Sequence, residues 1–153
     1  MSSFNTKSIW LSQVCTTAFM VVLGAIDLGG NWLVDWFIYI TRYHFPMGHQ
    51  VRLLFLASLY LCSIPAWIVL IRLNRLLANI QAEQVFVPVN VTALRDISYC
   101  CVAAAVICLV SGIYYIPFLL VAAAAAFMAL IVQVVKNCFA VAVNMKDELD
   151  YTV

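Results

Sequence analysis

Asp27, Asp35, His44 and His49 are the side chains in this sequence with the strongest claim to chemistry. Carboxylate and imidazole together ligate metals, and imidazole titrates near neutral pH. Spacing argues against a metal site, because no HxxxH or HExxH pattern links the four. The six cysteines, Cys15, Cys62, Cys100, Cys101, Cys108 and Cys138, all fall in apolar stretches and form no CxxC pair. Adjacent Cys100 and Cys101 would point about 100° apart on a helix, a poor arrangement for sharing a metal. All six therefore read as small packing hydrophobes. No serine, histidine and acid form a nucleophile constellation, and no glycine-rich loop could cradle a phosphate. The expectation is a non-enzymatic protein with no catalytic residue, metal or cofactor. Asp27 is read at the outer edge of the first span and Gln133 is merely polar, so no ionisable group is placed near the centre of a span. Coupled transporters usually need one.

The elements that must hold these residues are set by composition. Of 153 residues, 66% are hydrophobic and 10% charged, with mean hydropathy +1.03. A soluble domain of this size carries about a quarter charged residues. Too few polar groups exist to cover a water-facing surface, so the chain reads as an integral membrane protein. A net charge of +1 gives no field for direct nucleic-acid binding.

Four spans follow, at residues 8–28, 51–71, 97–116 and 118–135 of one membrane domain covering 1–153. Each approaches the ~20 residues a helix needs to cross ~30 Å of hydrocarbon. The first resembles a signal peptide in its basic flank, but Leu23-Gly24-Ala25 is a poor cleavage site and the apolar run is long. Lys7, Arg72, Arg75, Arg95, Lys136 and Lys146 lie on one side, with Arg42 and Arg52 on the other. The positive-inside rule then makes both termini cytoplasmic. The fold class is all-α: a polytopic four-helix bundle, N-in and C-in. "SGIYYIPFLL" leaves almost no loop, so the last two helices must be antiparallel neighbours. Ala103 to Ala105 and "VAAAAAFMAL" supply small residues for close packing, either within the chain or between copies in a homo-oligomer. Pro65 should kink the second helix.

The outer loop, 29–50, follows a helix end expected at Gly29–Gly30. Trp32, Trp36, Phe37, Tyr39, Ile40 and Tyr43, interrupted by Asp35 and Arg42, suit a short separate helix in the membrane interface. It could serve only as an anchor. Alternatively Trp32, Asp35, Trp36 and Tyr39 roof a ligand cavity.

The cytoplasmic layer comprises a loop at 72–96 and a tail at 136–153. "RLNRLLANIQAEQ" keeps helical periodicity, so the second helix should continue as a stalk, with Leu73, Leu77 and Ile80 on one face. Pro88 suits the first turn of the third helix, with Val87 as a poor cap and Asn90 helping, or with Asn90 itself as the cap one turn later. The fourth helix should overrun too, letting Phe139 and Val143 pack on the stalk. An acidic tail, Asp147, Glu148 and Asp150, beside an arginine-bearing loop invites ion pairing.

"VFVPVNVTALRDISYCC", "YYIPFLLVAAAAAFMALIVQVVKN", "MKDELDYTV" and "NWLVDWFIYIT" together resemble the small bacterial membrane proteins grouped as domain of unknown function 2975. The middle loop of that family reads something like F-T-x-E-N-V-x-x-L-R. Phe86, Asn90, Val91, Leu94 and Arg95 match it, whereas Val87 replaces a threonine and Val89 an acid. Ala140 and Val141 likewise stand where the family is often polar. The resemblance implies four membrane helices in the bacterial cytoplasmic membrane, with no established function. It also implies a genomic neighbour encoding a small Cro-like helix-turn-helix regulator.

Two readings remain open beside the disfavoured enzyme. In the first, the protein is a sensor or anchoring partner, binding such a regulator through Phe86, Asn90, Leu94, Arg95, Asp147, Glu148 and Asp150. In the second, it is a carrier or channel for a small hydrophobic solute or lipid. A cavity in the core would favour the second, and a solid alanine-packed core the first.

Overall fold

The computed structural model describes residues 3–41, 49–82 and 84–151, with side-chain surroundings given for 10–40, 50, 52–82, 84–146, 148 and 149. Four helices account for nearly all of it: α1 (Ser3–Thr41), α2 (His49–Gln81), α3 (Pro88–Ser111) and α4 (Pro117–Tyr151). All four are long and apolar enough to cross a membrane. Many large apolar side chains point outward along them, including Leu28, Ile64, Val106 and Leu120. In water that surface would be untenable, and in lipid it is the expected exterior. The chain is a four-helix membrane protein.

Each helix packs along its neighbours in sequence, α1 on α2, α2 on α3 and α3 on α4. Among the described residues, the backbones of non-consecutive helices do not come together. The result is four antiparallel neighbours in chain order. Small buried residues set the α3–α4 seam: Ala122 and Ala129 are buried, and Ser98 Oγ donates to the Ala129 carbonyl at 3.2 Å. Backbones approach this closely in lipid because dispersion, and not water exclusion, drives helix association.

Gly112 caps α3 in ordinary helical geometry, φ −60° and ψ −20°, so its backbone does not require glycine. The space does. A Cβ there would collide with the Leu119 side chain and lie 3.1 Å from the Leu109 carbonyl oxygen.

One expectation fails at Gly29–Gly30, where α1 does not stop. It runs 39 residues unbroken, and the aromatic stretch at 32–41 is its final turns rather than a separate interfacial helix. Glycine ends helices in water partly because solvent competes for the freed backbone groups. Lipid offers no such competitor, and glycine there serves to admit a neighbour. A Cβ on Gly30 would stand 3.2 Å from the Tyr60 hydroxyl of α2, and one on Gly24 would stand 3.8 Å from Trp67.

This continuity changes the setting of Asp27. Instead of ending a helix, it lies inside the apolar stretch Trp10–Ile40, with Trp67 of α2 as a partner.

At about 1.5 Å per residue, α2 and α4 are each on the order of 50 Å long, well beyond the ~30 Å of hydrocarbon. The α2–α3 joint at 82–87, the start of α1 and the end of α4 lie at one end of the helices, the terminal end. The α3–α4 turn lies at the other.

Candidate functional site

The terminal end is organised by Asn90, the one large side chain with 0% exposure among the described residues. Pro88 occupies the first turn of α3 and Val87 is the cap, extended at φ −127° and ψ 145°, with no side-chain hydrogen bond. The Asn90 backbone N–H reaches the Val87 carbonyl at 3.0 Å. Its side chain turns back into the joint. Nδ2 donates to the carbonyls of Gln84 and Val85, both at 2.8 Å, and Oδ1 accepts from Asn79 Nδ2 at 2.8 Å. One amide thus satisfies two carbonyls of a non-helical segment and fastens the end of α2 to the start of α3. Buried polar groups need such partners, and here both polar atoms of the Asn90 side chain have one.

Two contacts fix the rest. Arg72 Nη2 lies 2.9 Å from Asp96 Oδ2, linking α2 to α3, and Arg95 Nε lies 3.8 Å from Asp96 Oδ1. The Phe86 ring sits 5.9 Å from that of Phe139, tying the joint to α4. The expected stalk contact is thus made by Phe139 on the joint, while Leu76, not Leu77, is the buried leucine of the α2 stalk.

The anticipated partner-binding residues divide. Asn90 and Leu94 are buried and hold the layer from within. Phe86 is 46% exposed, Val89 66% exposed, and Arg95 faces outward beside them. In the tail, Glu148 is exposed, while the side chains of Asp147 and Asp150 lie outside the described ones. Val89, in the first turn of α3, is more open than Phe86.

At the other end, Phe37, Phe55, Tyr114, Tyr115 and Phe118 interlock, with ring centroids 5.4–6.0 Å apart. Tyr114 donates to Ser58 Oγ at 2.8 Å. Beneath them a cavity of about 440 Å³ is lined by apolar side chains from all four helices, among them Val34, Leu59, Cys108 and Val121. The anticipated roof residues do not line it. Trp32, Trp36 and Tyr39 point outward on α1, and Asp35 forms a two-pronged pair with Arg52, Nε–Oδ1 2.6 Å and Nη2–Oδ2 3.1 Å. Leu33, Val34 and Phe37 line the cavity from α1 instead. His44, and the side chain of His49, lie outside the described residues. A second apolar groove, about 690 Å³, runs between α3 and α4 over Ala105, Ala122, Ala126 and Ala129. The cysteines are unpaired, and Cys62 and Cys108 bring their sulfurs to 3.9 Å across α2 and α3.

A family model described as a protein of unknown function, DUF2975, matches residues 36–153, most of the chain. No curated protein and no solved structure matches it.

Proposed function

The chain belongs to the DUF2975 family, and from that premise we propose a non-enzymatic membrane-embedded sensor or anchor for a small soluble regulator. Its terminal end faces the cytoplasm of a bacterial cell, in keeping with the surplus of basic residues there. The regulator docks on Phe86, Val89 and Arg95, with the acidic end of α4 adding charge at the rim.

One observation carries this reading. The joint and the first turn of α3 are held by a fully buried amide, yet they expose the apolar Phe86 and Val89 beyond the Arg72–Asp96 pair, on the side this reading assigns to the cytoplasm. Apolar surface held rigid in water favours a protein partner. A photoreactive residue at position 89 tests it in living cells. The expected adduct is a small DNA-binding protein, whereas a control at Val106 on the lipid face yields lipid alone. Lipid adducts alone at both positions would overturn the reading.

A second reading, a carrier for a hydrophobic solute or lipid, draws on the apolar cavity under the aromatic cluster. Co-purification of one apolar molecule, lost when Val121→Trp fills that space, would favour it.

A further inference from the structure

Of the free cysteines, Cys62 of α2 and Cys108 of α3 bring their sulfurs to 3.9 Å. Both side chains also line the apolar cavity of about 440 Å³. Packing accounts for either thiol singly. Their meeting at the wall of one cavity places a two-electron reductant beside a space for a ligand.

The pair can close. Disulfide sulfurs stand about 2 Å apart, so the gap must shrink by roughly half. Pro65, three residues past Cys62, removes a backbone hydrogen bond from that part of α2. Cys108 lies three residues before α3 ends at Ser111. Each sulfur thus sits where its helix has room to adjust.

The walls select the oxidant. The volume falls among those of small-molecule sites, roughly 300–1,000 Å³. Phe37, Phe55, Tyr115 and Phe118 supply aromatic faces and edges suited to a flat ring. Of the two hydroxyl-bearing lining residues, Ser58 spends its proton on the Phe55 carbonyl at 3.0 Å. That leaves Tyr115 to donate to a carbonyl on the ligand. Leu33 and Val121 line the space yet are exposed, so it opens on the outer, apolar surface of the helices. A flat, carbonyl-bearing, lipid-soluble molecule that accepts two electrons and two protons is a quinone.

We propose that this cavity binds a membrane quinone and that Cys62 and Cys108 reduce it once per chain. One sulfur adds to a ring carbon, and its thiol proton passes to a quinone oxygen. The second sulfur attacks the first, forming the S–S bond and breaking the S–C bond. The electron pair of that bond passes to the remaining carbonyl oxygen, which takes the second thiol proton. A Cys62–Cys108 disulfide and a quinol result, and the protein registers the oxidation state of the quinone around it. The inference rests on the cavity of the second reading and needs no docked regulator.

The test mixes reduced, full-length protein in lipid nanodiscs with decylubiquinone under anaerobic conditions. Absorbance follows quinol formation, peptide mass spectrometry finds the cysteine pairing, and quinone carried through detergent purification is measured separately. One quinol per chain should form together with the Cys62–Cys108 disulfide. Cys62→Ala should form none, and a Cys15→Ala, Cys138→Ala variant should match the wild type. Val121→Trp, which fills the cavity but keeps both thiols, should be slowed at least about tenfold, because it loses the proximity that binding supplies. No quinol from the wild type, or wild-type rates from Cys62→Ala or Val121→Trp, would overturn the proposal. Cys62→Ala decides alone should Val121→Trp misfold. Quinone retained without thiol oxidation would also overturn it, while sparing the second reading.

Discussion

The Asn79 side-chain amide donates to Asn90 Oδ1 at 2.8 Å, across the joint between residues eleven apart in sequence. Because Asn90 also feeds the Gln84 and Val85 carbonyls, the end of α2, the joint and the start of α3 form one hydrogen-bonded unit. Loss of that amide leaves buried groups unpaired on both sides. Asn90→Leu should therefore cost on the order of 3 kcal/mol, since each orphaned buried group costs about 1–3 kcal/mol. Thermal unfolding in detergent should fall by roughly 10 °C, with hydrogen exchange accelerating first at residues 84–96.

Arg72 and Asp96 are both partly exposed, at 40% and 23% of their side chains. Single neutral substitutions at either should cost no more than ~1 kcal/mol. The exchange Arg72→Asp with Asp96→Arg should recover most of what either reversed charge loses alone. A double-mutant cycle on unfolding free energy measures this coupling.

Two glycines make opposite forecasts. A Cβ on Gly29 meets nothing within 4 Å, so Gly29→Ala should leave stability unchanged or raise it by up to ~1 kcal/mol through helix propensity. Gly112→Ala must displace Leu119 and should destabilise by about 1–3 kcal/mol. Unfolding curves for the pair separate a glycine used for space from one that is merely tolerated.

Cys62 and Cys108, with sulfurs 3.9 Å apart, report the α2–α3 register. A membrane-permeant oxidant should join them within one chain, and peptide mass spectrometry should find that bond ahead of any involving Cys15 or Cys138, which are exposed on α1 and α4. Preferential pairing of other cysteines would contradict the helix order.

Much of this architecture is legible in the residues. Apolar run length marks the four helices, the short "SGIYYIPFLL" makes α3 and α4 antiparallel neighbours, and Pro88 after Val87 marks where α3 begins. The end of α1 was not legible. Gly29–Gly30 punctuates a helix in water but not in lipid, so Asp27 lies inside a continuous helix and not at its end. Its partners Ser63 and Trp67 stand 36 and 40 residues away, and nothing in either helix alone states their register. The same holds for the cavity, which Val34 and Phe37 line while the more conspicuous Trp32 and Trp36 face outward. Asn90 was legible as a helix-start residue, but its role of clasping two upstream carbonyls depends on the path of the joint. That path also turns Leu94 inward and Val89 outward.

The most direct test of the central claim is recovery of the intact protein, tagged, from its native membrane in mild detergent. A small helix-turn-helix regulator should co-purify in a fixed ratio with the wild type. It should be lost from a Phe86→Ala, Val89→Asp variant that retains the wild-type melting temperature. Absence of such a regulator from the wild type, or equal recovery with the variant, would contradict the account.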